Sequence, residues 1–175
     1  MQSKQQTGVT MIELMIVVAI AGILAAIAAP SFSSLINSTR LNSTMTQLTS
    51  DLNRARGEAI KRNQRVLVCV RDTDTACGAG VDWRNGWLVC YDANQDGVCD
   101  AAPVDGSNPN PIVVRPAINA NLTLIGSAAF VRFNASGTQG ASGAPAATLT
   151  LNGTWAGATA VTANVAATGN ISKTP

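Results

Sequence analysis

The sequence predicts an α+β protein: one long N-terminal helix packed on an antiparallel β-domain that carries two disulfides. Three observations lead there. Residues Leu14–Ala29 are 16 in a row without a polar or charged side chain. Apolar residues then recur at Leu41, Met45, Leu48, Leu52, Ala55 and Ala59, spaced four, three, four, three and four, the seam of an amphipathic helix. From Arg65 onward, short β-branched and aromatic runs alternate with Gly, Asn and Pro, the pattern of strands and turns. A helix followed by successive strands is α+β organisation.

The apolar run alone makes about 24 Å of helix, short of a hydrocarbon core of about 30 Å. Val9–Glu13 and the residues after Pro30 extend it, since no charge returns until Arg40. Lys4 precedes the run and is expected to stay cytoplasmic. A helix from Val9 to Asn63 would reach roughly 80 Å, more than one small domain can pack. Residues 9–36 therefore need lipid or other chains, and residues 37–64 offer their seam to a globular domain of residues 65–175. Pro30 lacks a backbone donor and is expected to kink or loosen the helix.

An ordinary secretory signal peptide, cut near Ala26-Ile27-Ala28, is the simplest account of such a start. Glu13 resists it. A carboxylate at the mouth of an apolar helix is costly and implies a positive partner. Gly8-Val9-Thr10-Met11-Ile12-Glu13-Leu14 and the helix after it resemble the class III leader of type IV pilins and type II secretion pseudopilins. The resemblance implies a type IV pilin-like fold, with residues 1–8 removed by a prepilin peptidase that cuts between Gly8 and Val9. It also implies N-methylation of Val9 and pairing of Glu13 with the amino terminus of a neighbouring subunit. Gly22 and Pro30 fall where pilins often carry helix-weakening residues. Val9 stands where the family usually has phenylalanine.

Strands are expected over Arg65–Val70, Trp87–Tyr91, Ile112–Arg115, Leu122–Ile125, Phe130–Phe133, Ala147–Leu151 and Ala160–Val165. The small, nearly uncharged residues of 135–169 bury little area each, so that region is expected to pack loosely or lean on neighbours. Cys69, Cys77, Cys90 and Cys99 lie within 31 residues, an even cluster suited to disulfides in an exported protein. Sequential pairing, Cys69–Cys77 and Cys90–Cys99, closes two short loops and is the expected one of three connectivities. Their spacing lacks the close C-x2-C pairs usual for zinc.

Enzymes fare poorly on inventory. The chain has no histidine, two glutamates, and no nucleophile, P-loop or dinucleotide motif. Twelve basic residues against ten acidic ones exclude a strongly basic nucleic-acid module on bulk charge. The charges are segregated, however. Arg40–Arg71 holds seven basic residues against two acids, and Asp72–Asp100 holds six aspartates against Arg84, so the blocks can pair within or between subunits.

The stretch Asp82-Trp83-Arg84-Asn85-Gly86-Trp87, with Asp92, Asn94, Asp96 and Gly97 after it, resembles the W-x-x-GW and D-x-N-x-DG signature of FimT and FimU minor pilins and the GspH pseudopilin. Phe133-Asn134-Ala135-Ser136-Gly137 resembles that group's later strand and turn. The resemblance implies a structural, non-enzymatic subunit of a type IV pilus or a type II secretion pseudopilus. Other major and minor pilins, the prepilin peptidase and an inner-membrane assembly platform are its implied partners. The implied location is the bacterial inner membrane with the domain in the periplasm, then the filament, near its tip. A DNA-receiving relative would carry G-R-x-R, but Gly169-Asn170-Ile171-Ser172-Lys173 leaves only Lys173 to contact phosphate. Asp92, Asn94, Asp96 and Asp100 also imitate the start of a calcium loop. The twelfth position is Pro103 instead of a bidentate glutamate, so an acidic hairpin turn and no cofactor is the expectation. Trp83, Trp87 and Trp155 are expected to pack in the core rather than stack a ligand.

Overall fold

The computed structural model describes residues 9–100, 110–140 and 147–175, except the side chains of residues 28–31. The chain forms two compact units, Met1–Asn37 and Ser38–Pro175. Helix α1, Met11–Arg62, contributes to both and is unbroken through position 30. The cleavage-site residue Gly8 and the Pro30 ring lie outside the described residues, as does Pro103.

Helix α1 ends where its sequence supplies a stop. Asn63 takes the left-handed conformation at φ 52°. Its N–H donates to the Ile60 carbonyl, and Gln64 N–H donates to that of Ala59. This paired reversal satisfies two orphan carbonyls, and Lys61 and Arg62 in the last turn suit the negative end of the helix dipole.

Eight strands follow: β1 Val66–Val70, β2 Trp87–Tyr91, β3 Val113–Val114, β4 Leu122–Gly126, β5 Phe130–Phe133, β6 Ala147–Gly153, β7 Val161–Val165 and β8 Ile171–Thr174. They build two antiparallel four-stranded sheets, in the orders β3-β2-β1-β5 and β4-β6-β7-β8. The helical seam from Leu41 to Ala59 is fully buried in one core with residues of both sheets. Strand β3 is shorter than the sequence suggests, although Ile112 N–H and Arg115 N–H flanking it still donate to the Val89 and Trp87 carbonyls of β2 at 2.7 and 2.9 Å.

Strands β1 and β2 are buried on both faces. Val66, Val68 and Val70, with Trp87, Val89 and Tyr91, join the helix-side core. Leu67, Cys69, Leu88 and Cys90 form a second small core on the opposite face, with Cys77 and Cys99 packed over it. The loops after β1 and β2 thus act as lids, stapled by Cys69–Cys77 and Cys90–Cys99.

Within the small-residue region, β6 and β7 are not loosely packed. Ala147, Leu149 and Leu151 of β6 alternate inward with Val161, Ala163 and Val165 of β7, and all six are buried. Small side chains let the sheet approach its neighbours closely, so close packing replaces bulk. Strand β8 has no counterpart among the sequence expectations. Its Ile171-Ser172-Lys173-Thr174 is half-buried at one residue and exposed at three, an edge strand without apolar alternation.

Tyr91, the one tyrosine in the chain, is buried in this core, and burial pushes its phenol above the ordinary value. The charge of Arg62, whose guanidinium lies 6.0 Å from the ring centroid, opposes that shift, and Glu58 adds to it. The fold therefore holds the proton more tightly than the unfolded chain does. Folding stability is expected to fall as pH rises past the ordinary phenol value through the raised one. An ultraviolet titration of the phenolate band reads a single residue. Ionisation at or below the value of free tyrosine would contradict this burial.

Candidate functional site

The acid singled out in the sequence lies in the first turn of α1. Thr10 Oγ1 accepts a hydrogen bond from the Glu13 N–H at 3.3 Å, and Leu14 N–H donates to the Thr10 carbonyl at 3.1 Å. Thr10-Met11-Ile12-Glu13 is thus a helix-capping sequence of the T-x-x-E type, and Glu13 sits where the positive end of the dipole favours a carboxylate. Sequence reasoning that treats Glu13 only as an assembly acid misses this local role, although the spacing displays it.

The described side chains from Val9 to Ile27 are all exposed, Met11 at 82% and Leu14 at 59%. An 18-residue window in α1 has a mean hydropathy of 2.6 with none of it buried, so this part is long and apolar enough to cross a membrane. An apolar surface of this extent needs a cover. Around Gly22 an added Cβ would meet nothing within 4 Å, so no contact among the described residues requires glycine there.

In the globular unit, the Trp83, Gly86 and Trp87 motif is structural. Trp83 is fully buried and its Nε1 donates to the Ala128 carbonyl at 3.1 Å. The chain turns at Gly86 with φ 91°, pressed against the Arg115 and Pro116 carbonyls. Trp87 Nε1 donates to Asp51 Oδ2 at 3.0 Å. Asp51, 2% exposed on α1, also receives Arg115 Nε at 2.8 Å and Nη2 at 3.0 Å. One carboxylate therefore joins the helix, β2 and the residue after β3. Trp155 is half-buried and packs against the core and over Gly153.

Asp92 and its loop serve the fold as well. Asp92 is fully buried and accepts from Arg132 Nε at 2.7 Å, while Arg132 Nη2 donates to the Gln95 carbonyl at 3.0 Å. Asn94 Oδ1 accepts from Asp96 N–H, Asp96 Oδ1 from Val98 N–H, and Asp100 Oδ2 from Ala93 N–H. Among the described residues the carboxylates of Asp92, Asp96 and Asp100 do not converge on one point, and all four cysteines are held in disulfides. Gly97, at φ 82°, completes the turn against the Phe130 ring.

Four members of the basic block make bonds within the domain. Arg56 donates to the Gly137 carbonyl at 2.9 Å and Arg65 to that of Ala93 at 3.1 Å. Arg62 pairs with Glu58 at 2.9 Å, and Arg71 with Asp74 at 2.8 Å. That last pair is the one salt bridge among the described residues joining the basic block to the acidic one. The exposed Asp82–Arg84 pair stands apart, and the guanidinium holds the Asp82 carboxyl below its usual range. Lys173 on β8 reaches Asn42 Oδ1 of the helix at 3.4 Å. A cleft of about 590 Å³ beyond the end of α1 is lined by Asn63, Gln64, Arg65, Ala93, Asn134 and Ala135 among others, with no acid on it.

A long helix with a bare apolar half, and a disulfide-clasped β-domain on its other half, define a type IV pilin-like subunit. Residues 44–169 match the family described as Type II transport protein GspH, and residues 3–29 match the Prokaryotic N-terminal methylation motif. The chain belongs to the GspH family of the minor pilins and pseudopilins. Its fold is similar to that of the Pseudomonas aeruginosa (strain PAO1) type IV minor pilin FimU in two crystal forms. The P21 form gives a TM-score of 0.57 at 19% identity, covering 78% of this chain and 90% of that one. The P65 form gives 0.54 at 18%, covering 77% and 92%. No curated protein matches the sequence.

Proposed function

We propose that this chain is a minor pilin, inserted in the inner membrane by residues 9–36 and built into a type IV pilus, whose assembly it primes. The observation that carries this reading is the exposed apolar surface from Val9 to Ile27, on which Glu13 is the one charge. Cleavage between Gly8 and Val9 would free an α-amino group. In a low-dielectric bundle that cation and the Glu13 carboxylate of a neighbour each lack another partner, so pairing selects the register of insertion. Neighbouring pilins, the prepilin peptidase and an inner-membrane platform are the partners this requires, with the domain in the periplasm. The role is structural and non-enzymatic. Likeness to a type IV minor pilin structure supports the pilus over the type II secretion pseudopilus, which the family description favours instead. DNA reception has less support, since Arg56, Arg62, Arg65 and Arg71 are engaged within the domain.

An epitope-tagged chain is expected in filaments sheared from the cell surface. The Glu13→Ala variant is expected to remain in the membrane fraction, at least tenfold depleted from filaments. Equal recovery of both would sink the pairing.

A further inference from the structure

The segregated charges of the sequence scarcely meet inside the domain, and the fold shows why. The seam of α1 is buried against the Val66, Val68 and Val70 side of β1. The disulfide-clasped loops cover the other side, over Leu67, Cys69, Leu88 and Cys90. Sheet β3-β2-β1-β5 therefore stands between the outer face of α1 and the aspartate-bearing loops. Arg71 does reach an aspartate, Asp74, because it lies at the root of the first loop itself.

The outer face of α1 is left bare and basic. Arg54 and Lys61 are two turns apart, about 10 Å along the axis, on the side away from the buried seam. Both are exposed, and neither has a hydrogen bond or ion pair among the described residues. No acid is free on this stretch of helix, since Glu58 is held by Arg62 and Asp51 is buried against Arg115. Between the two cations lies Gly57, where an added Cβ would meet nothing within 4 Å. Glycine inside a helix costs about 1 kcal/mol relative to alanine, and no contact among the described residues requires it there. A bare patch of backbone lets another surface come close. Across the sheet, no cation reaches the carboxylates of Asp72, Asp96 and Asp100 among the described residues. Asp96 accepts from Val98 N–H at 2.8 Å and Asp100 from Ala93 N–H at 2.6 Å, while Asp72 is exposed.

We propose that the outer face of α1, centred on Gly57, docks the clasped aspartate loops of a second copy of this chain. Arg54 and Lys61 of one copy then meet Asp72, Asp96 and Asp100 of the next. Because the two patches differ and lie on opposite sides of one sheet, the contact is head-to-tail, and copies add in a row instead of closing as a twofold pair. Exposed ion pairs contribute at most about 1 kcal/mol each and are screened over about 8 Å at physiological salt. They set direction and register, while sharing one membrane supplies the local concentration. The docking rests on the membrane insertion proposed above and is indifferent to which filament takes the chain.

The test places the full chain, half of it labelled with nitrogen-15, in phosphatidylcholine vesicles, whose headgroups carry no net charge. A carbodiimide then joins lysine amines to carboxylates in contact with them. The expected product is a mixed-label peptide pair linking Lys61 to Asp72, Asp96 or Asp100. Lys61→Arg keeps the charge and should abolish that link. Arg54→Glu breaks no bond within the fold and should lower its yield at least about fivefold, as should half-molar salt. Gly57→Leu, which meets nothing in its own chain, should lower the yield without lowering the thermal midpoint. Lys61 links confined to chains of one label, or mixed-label links from Lys173 as abundant as those from Lys61, would overturn the docking. A chain that fails to float with the vesicles contradicts membrane insertion instead, and the docking is then read by the same cross-link in detergent.

Discussion

Asp51→Ala is expected to destabilise the globular domain by about 3 kcal/mol, at the lower end of the range for breaking a buried ion pair because Arg115 keeps some contact with water. The carboxylate is 3% exposed in its side chain and Arg115 is 31% exposed. Removing Asp51 strands three donors: Trp87 Nε1 in the core, and Nε and Nη2 of Arg115. A guanidinium stays protonated at any working pH, so once Asp51 is gone Arg115 cannot relieve itself by losing a proton. Denaturant unfolding of the full chain in detergent, followed by tryptophan fluorescence, measures the loss. Asp51→Asn keeps an acceptor for Trp87 and should lose less. A wild-type midpoint for Asp51→Ala would remove this residue from the account of the fold.

Gly86→Ala is expected to cost at least as much, by about 3 kcal/mol or more, through two separate faults. The backbone stands at φ 91°, where an L side chain is strained by roughly 1–2 kcal/mol. An added Cβ would also fall inside contact distance of the Arg115 and Pro116 carbonyls, which are backbone and have no rotamer to escape by. Relief requires the chain after β3 to move away from β2, undoing the Arg115 N–H bond to the Trp87 carbonyl at 2.9 Å. Because that movement also carries Arg115 off Asp51, the two substitutions share one partner. The double variant should lose clearly less stability than the two single losses added together. Strict additivity would separate the turn from the carboxylate cluster.

What the sequence displayed and what it hid follow from the range of each interaction. The α1 seam was legible because its apolar residues repeat at helical spacing over five intervals, and all six are buried. The strands VLVCV and WLVCY were legible as apolar runs; their burial on two faces comes from the disulfide-clasped lids. Ala147-Thr148-Leu149-Thr150-Leu151 and Val161-Thr162-Ala163-Asn164-Val165 alternate visibly, and that alternation, rather than residue size, sets which side chains are buried. Strand β8 carries no such signal, because an exposed edge selects for polar residues. The partnership of Asp51 with Arg115 spans 64 positions, and of Asp92 with Arg132 spans 40. No local spacing announces pairs so distant. Asp51 offered one hint, an acid beside Leu52 and four residues before Ala55, at the border of a buried seam.

At the N-terminus Glu13 both donates its backbone N–H to the Thr10 cap and stands as the one charge on the exposed apolar surface from Val9 to Ile27. The local role needs a Glu- or Gln-type side chain in the first turn; the assembly role needs the charge and a partner outside the chain. Glu13→Gln separates them, since it retains a side chain suited to the capping position and removes the charge. A count of surface pili on a deletion strain of the source bacterium, with its retraction motor also inactivated, tests the subunit role most directly. Loss of pili is expected, restored by the wild-type chain but by neither Glu13→Gln nor Glu13→Ala. Undiminished pili in the deletion strain would contradict a priming minor pilin.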